Sequence, residues 1–285
     1  SGSFLYGVDG LTGTIGTSLG TWSAGGSLIT ARMYMSRAGT QNAALGSAGA
    51  LNPAVANENR CTEEYNGSSW SESGDIITGR YAAASDGTQN AAFVVGGYPN
   101  TDTHEQYNGA GWSSDASLGA ATAYNAAFGT TNSIMMSGGS GFSKTSCIFD
   151  GTAWSVSGDI MKGRNKHAAA GISELSGIMV GGNTPSAIAC TEHWNGTAWS
   201  EGGLMTSTRS ALAVAGTENS AFAVLGTVDE YDGTTWTRTH GATAHSHNCA
   251  ISATGTQAAG LLFGGGHPAP ALACTEHYDS YHHIT

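Results

Sequence analysis

Apolar and polar positions along this chain alternate over short distances. Runs of five or six mostly apolar or small residues, such as Arg80–Ser85 and Ala91–Val95, are separated by polar, glycine-bearing turns. No window carries the 3.6-residue apolar period of a helix, so helix is expected to be scarce. Strict two-residue alternation is also weak, which fits strands covered on both faces better than strands with one wet side. Short strands broken by turn signals at intervals of about ten residues predict an all-β array.

The turns repeat in kind. Tyr65-Asn66-Gly67 is followed by Trp70, Tyr107-Asn108-Gly109 by Trp112, and Phe149-Asp150-Gly151 by Trp154. Trp194-Asn195-Gly196 precedes Trp199, and Tyr231-Asp232-Gly233 precedes Trp236. Trp22 has no such signature before it, and Tyr278-Asp279 has no Trp after it. The Trp-to-Trp steps are 48, 42, 42, 45 and 37 residues, the period of a propeller array. A second set of markers keeps the same register. Arg32, Arg80, Arg164 and Arg209 each lie ten residues after a Trp; Thr122 takes that place after Trp112, and Asn248 lies twelve after Trp236. Seven residues beyond these six positions stand Gly39, Gly87, Gly129, Gly171, Gly216 and Gly255.

Each unit reads as four strands. In the second unit, strand A is Arg80–Ser85, turned by Asp86-Gly87-Thr88 into strand B at Ala91–Val95. Strand C is Thr103–Tyr107, and Asn108-Gly109 leads into strand D around Trp112. Asn-Gly and Asp-Gly suit type I′ hairpins, whose central residues both need positive φ. Strand A is rich in small residues, as in Ala82-Ala83-Ala84 and Ala168-Ala169-Ala170, while Tyr and Trp fall in strands C and D. That gradient matches blades that crowd at an axis and splay at the rim.

Six markers predict a six-bladed propeller spanning residues 1–285 as one domain, with blades near 25–70, 71–112, 113–154, 155–199, 200–236 and 237–279. Residues 18–24 are expected to complete the last blade, the strand around Trp22 pairing with the strand around Tyr278. Such closure removes exposed sheet edges.

Arg on strand A, a Gly-Gly doublet after strand B, Tyr-Asn/Asp-Gly after strand C and Trp on strand D resemble the kelch repeat, over roughly residues 18–279. The doublet stands at Gly96-Gly97, Gly138-Gly139, Gly181-Gly182 and Gly264-Gly265, and reads as missing from the first unit (Leu45-Gly46-Ser47) and the fifth (Leu225-Gly226-Thr227). The wording around Thr-Glu-Glu/His-Tyr-Asn-Gly also resembles kelch-like virion proteins of tailed phages. The kelch family includes galactose oxidase, which implies a copper site of Tyr, His and a thioether-linked Tyr–Cys near the axis; no position here matches those ligands.

Charge narrows the partners. The net charge is −11 with only ten Lys and Arg, which argues against nucleic acid and anionic membranes. No apolar run reaches a membrane span, and Ser1-Gly2-Ser3-Phe4 does not read as a signal peptide. Cys61, Cys190 and Cys274 share one repeat position in different blades, too far apart to pair; these and Cys147 and Cys249 read as small buried hydrophobes.

Candidate chemistry is sparse. His245-Ser246-His247 is a local pair, and His277, His282 and His283 gather near the C-terminus, but a metal needs three or four convergent ligands. No metal, cofactor or catalytic residue is therefore assigned. The strand-C acids Glu63, Glu64, Glu105, Glu192, Glu230 and Glu276 recur by position and read as structural. The four repeated arginines are expected to bind carbonyls or acids of adjoining blades. Asn66-Gly67-Ser68 and Asn195-Gly196-Thr197 match glycosylation acceptors as well as the turn that the repeat requires.

Variation points to one face. The A–B and C–D turns are short and uniform, while the B–C connections differ from unit to unit, and loops on a rigid scaffold carry recognition. Tyr98, Asn100, Phe142, Lys144, Asn183 and His267 are the candidate ligand-binding residues. The expected role is non-enzymatic: a recognition or structural module at a virion surface or outside the cell. It would contact a host glycan or another virion protein, with no nucleic acid and no membrane insertion. An extracellular carbohydrate-active or galactose-oxidase-like enzyme and an intracellular kelch adaptor are the alternatives.

Overall fold

The computed structural model describes residues 19–51, 59–243, 245, 249–266 and 270–281. Those residues form six four-stranded antiparallel sheets and no helix. The sheets follow one another around an axis as the blades of a propeller. Blade 1 comprises Ser36–Thr40, Ala43–Ser47, Thr62–Tyr65 and Trp70–Ser73; blade 2 comprises Ala84–Thr88, Ala91–Val95, His104–Tyr107 and Trp112–Asp115. Blades 3, 4 and 5 begin at Ala126, Ala168 and Ala213 and repeat the meander. Blade 6 is built from both ends: Ser252–Gly255, Ala259–Phe263 and Thr275–Tyr281 are completed by Leu19–Ala24. Trp22 faces Tyr278 in that junction, as the unmatched repeat markers predict.

Strand B is the most buried part of each blade, Phe93-Val94-Val95 and Ile178-Met179-Val180 being almost wholly inaccessible. Small strand-A residues face the axis and large aromatics fill the spaces between blades. The tryptophans are fasteners between neighbours. Trp70, Trp112, Trp199 and Trp236 each donate an indole N–H to a hydroxyl on strand C of the preceding blade: Thr275, Thr62, Ser146 and Thr191. Trp154 donates instead to the Ala116 carbonyl, and Trp22 has no acceptor. Val228 occupies the strand-C place that would supply a hydroxyl to Trp22.

A second junction joins each strand C to the next. Tyr107 donates to Glu64 and Tyr278 to Glu230 (2.6 Å); Tyr231 shares a proton with His193 (2.7 Å) and Tyr65 with His277 (2.8 Å). Where the aromatic lacks a hydroxyl, the partner changes to match. Ile148 packs in the Trp194 cluster, and Gln106, opposite Phe149, donates to the Thr131 carbonyl.

Three sequence expectations need correction. Strand A begins at Ala84, and the A–B turn is the pair Gln89-Asn90 rather than Asp86-Gly87-Thr88. Gly87 lies inside the strand at φ +110°, where a Cβ would strike the Ala91 carbonyl at 2.3 Å. The C–D turns are not type I′, since only the Gly has positive φ. Asn66 instead accepts hydrogen bonds from the Ser68 and Ser69 amides, and Asp150 from Thr152 and Ala153, which makes Asn and Asp equivalent here. Blade 1 lacks the Gly-Gly doublet but keeps its left-handed backbone, at Ala48-Gly49, with φ +57° and +103°.

The arginines are also re-assigned. Arg32, Arg80, Arg164 and Arg209 pair with Glu63, Glu105, Glu192 and Asp229 of their own blades, not adjoining ones. The carboxylates also accept backbone amides just before each Arg, such as Ile29 and Thr30 on Glu63. Blade 3 lacks both halves of the pair, with Thr122 for Arg and Cys147 for the acid, and a cavity of about 130 Å³ opens between them. In blade 6 the amide and ring of His245 bind Glu276. The five thiols are free, and only Cys147 is fully buried; the others are half-buried.

Candidate functional site

Two residues beyond each Arg-type marker stand Tyr34, Ala82, Tyr124, Lys166, Ala211 and Ala250. All six adopt left-handed backbone with φ between +52° and +59°. None is glycine, although this conformation costs other residues about 1–2 kcal/mol each. The cause is a closed circle of hydrogen bonds. Each amide donates to the carbonyl of the equivalent residue one blade back, Tyr34 to Ala250, Ala82 to Tyr34, and so on through Ala250 to Ala211, at 2.8–3.0 Å. The circle surrounds the axis on the face that carries the B–C loops.

Side chains from this circle and its neighbours form a tyrosine cluster at the axial mouth. Tyr34 lies 6.0 Å from Tyr81 and 5.8 Å from Tyr124, centroid to centroid, and Tyr81 lies 4.9 Å from Tyr98. Lys166 Nζ sits over the Tyr124 ring, 5.1 Å from its centroid. Burial, with smaller contributions from Cys249 and Tyr81, pushes the Tyr34 hydroxyl up to about 12, so it stays protonated as a donor. Burial also raises Tyr124, against a hydrogen bond from Tyr81.

Below the mouth is a chamber of about 110 Å³, walled by Tyr34, Tyr124, Asn125, Lys166 and His167 among others. Among the described residues no Asp or Glu lines it. Burial and the charge of Arg164 pull His167 down to about 3, so its ring is neutral. Asn125 donates to the Val95 carbonyl, while its side-chain oxygen has no partner.

Arg37 crosses the channel deeper down. Its guanidinium donates to the carbonyls of Ala169 in blade 4 and Val214 in blade 5, both at 3.0 Å, and lies 3.7 Å from Asp86 in blade 2. Burial lifts Asp86 to about 6 against the opposing pull of Arg37. A further cavity of about 140 Å³ lies around Arg37 and Asp86 toward the A–B turns. The bore is thus barred by one side chain that ties four blades together.

The sequence candidates are only partly gathered. Tyr98, 37% exposed, joins the mouth through Tyr81. Asn100 accepts a hydrogen bond from Ser140, linking the B–C loops of blades 2 and 3. Phe142 (40% exposed, φ +57°) and Lys144 do not line the chamber. Asn183 pairs through its backbone with Asn165, next to Lys166. His267 lies outside the described residues, as do His247, His282 and His283. Sequence reasoning missed Tyr34, Tyr81, Tyr124, Lys166 and Arg37. The position two past each Arg-type marker holds three of them and was the available signal.

The recurrent acids are committed to structure: Glu63, Glu105 and Glu192 to arginines, Glu64 and Glu230 to tyrosines. Among the described residues no group of three His, Cys, Asp or Glu is placed to hold a metal ion. Among the described residues no helix is long and apolar enough to cross a membrane. No protein-family model matches the chain, and no curated protein matches it.

Proposed function

We propose that this protein is a non-catalytic recognition module whose ligand surface is the B–C face, centred on the axial mouth. The observation that carries the reading is the presence of Tyr34, Tyr124 and Lys166 at left-handed positions. The hydrogen-bonded circle needs only their backbone, and Ala serves it in three blades. Large side chains held at strained positions over a cavity point to a ligand. Tyr98 extends the same aromatic surface outward.

The ligand would be a surface glycan or a protein surface, and the kelch-like repeat wording supports a setting on a phage particle, among other virion subunits and against a host surface. An enzymatic reading has less to support it, because the one carboxylate among the described residues that lines an axial cavity, Asp86, is engaged with Arg37 and the Gly129 amide.

Host-cell adsorption or a glycan array, comparing wild type with Tyr98→Ala and Phe142→Ala, tests the proposal. Binding lost in Tyr98→Ala and kept in Phe142→Ala is expected. Loss confined to Phe142→Ala would move the site outward from the axis, and binding indifferent to both would overturn the assignment of this face.

A further inference from the structure

The charges around the mouth narrow the ligand. Of the ten Lys and Arg, six arginines (Arg32, Arg37, Arg80, Arg164, Arg209 and Arg238) form ion pairs with acids. Lys166 forms none among the described residues. Among the described residues it is the single Lys or Arg lining the upper chamber, it is half-buried, and no carboxylate shares the chamber with it. In a chain of net charge −11, the Lys166 ammonium rests on the Tyr124 ring and has no carboxylate partner among the described residues. His167 cannot share the task, since burial keeps its ring neutral.

Size and surface chemistry supply the rest. A water needs roughly 10–15 Å³ of such space, so the chamber of about 110 Å³, which continues into a second of about 100 Å³ that reaches Arg37, has room for a sugar ring. Arg37 closes the bore beneath it. Tyrosine rings offer flat faces to the C–H groups of a pyranose and hydroxyls to its polar rim.

We infer that the axial mouth takes an acidic sugar residue, its pyranose ring against the Tyr34–Tyr81–Tyr98–Tyr124 cluster and its carboxylate at Lys166. This rests on the recognition reading above and adds the ligand class to it. Binding is reversible, with no bond made or broken.

The test is calorimetric titration with a glucuronate-containing oligosaccharide, a neutral glucose oligosaccharide of equal length and a short Asp/Glu-rich peptide. Wild type, Lys166→Gln, Lys162→Gln and Tyr98→Ala are compared, with melting curves as a check on folding. The acidic sugar should bind, more weakly as salt rises. Lys166→Gln should lose about tenfold to a hundredfold, the range for a hydrogen bond to a charged group, while Lys162→Gln stays at wild-type affinity. Equal affinity for acidic and neutral sugars that is lost in Tyr98→Ala but not in Lys166→Gln would overturn the acidic-sugar inference and leave the recognition site standing. Binding of the peptide but neither sugar, dependent on Lys166, would likewise replace the sugar with a protein ligand. No binding of any of the three, with host adsorption indifferent to Tyr98→Ala, would remove both.

Discussion

Blade 3 offers a test of how the buried ion pairs work. In blade 2, Arg80 donates to the carbonyls of Gly96 and Thr103 and pairs with Glu105. Blade 3 presents the equivalent Gly138 and Thr145 around a cavity of about 130 Å³, with Thr122 and Cys147 in place of the pair. Installing Glu by Cys147→Glu puts a carboxylate where Cys147 is 8% exposed, with no cation to meet it. Breaking such a pair costs about 3–5 kcal/mol, and the lone charge should cost as much. For a domain of this size that lowers the melting temperature by roughly 6–20 °C, at 2–4 °C per kcal/mol. Thr122→Arg alone should be destabilising for the same reason. The double variant restores the arrangement of blade 2 in a cavity that already has room for it, and should return to within about 1 kcal/mol of wild type. The coupling energy, read from urea melts of the four proteins, should therefore reach several kcal/mol. Additive losses in the double variant would refute the claim that the cavity is an unoccupied ion-pair site.

Three further outcomes are expected. Val228→Thr places a hydroxyl opposite the unpartnered Trp22 indole and should raise stability by about 1 kcal/mol in denaturant melts; an unchanged or lower midpoint would deny Trp22 this acceptor. Removing residues 1–24 takes away the strand that closes blade 6 and should give aggregation or a broadened transition, whereas a monomer with an unchanged melting temperature would contradict the closure. Burial holds His104 down to about 4 and His167 down to about 3, against an ordinary 6.5. Their contribution to stability is complete above pH 6.5 and lost as pH falls through that window, by roughly 3 and 5 kcal/mol at 1.36 kcal/mol per unit. A His104→Gln/His167→Gln variant should show a flatter decline in stability from pH 6.5 to 4, and an identical decline would exclude these rings as the cause.

The six-bladed array was legible because its markers are local. Trp, Asn/Asp-Gly and the Arg-type positions each recur within one unit, and the lone Trp22 and Tyr278 announced the closure. The details that escaped depend on backbone sign or on distance. Ala82 is left-handed without being glycine, so nothing in Tyr81-Ala82-Ala83-Ala84 told where strand A begins. Arg37 fits no repeat position, and its carbonyl partners lie 132 and 177 residues away. The candidate site was half legible. Loop variability singled out Tyr98 and its face. Tyr34, Tyr124 and Lys166 sit in the repeated stretch after each marker, where scaffold and proposed ligand surface share a segment.

The matched strand-C junctions bear on how such a ring can grow. Copying one blade beside itself creates a new junction between that blade's own outward residue and its own aromatic. Blade 1 would set Glu64 against a copy of Tyr65, blade 5 Glu230 against Tyr231, and blade 6 His277 against Tyr278, each a hydroxyl meeting an acceptor. Blade 4 would set His193 against a copy of Trp194, which has no hydroxyl to offer, so the new junction would lack the polar contact that His193 makes with Tyr231. Gln106 of blade 2 against Tyr107 and Ile148 of blade 3 against Phe149 are matched as well, so tandem duplication is chemically penalised at blade 4, and a lineage that gained a seventh blade would be expected to have copied one of the others.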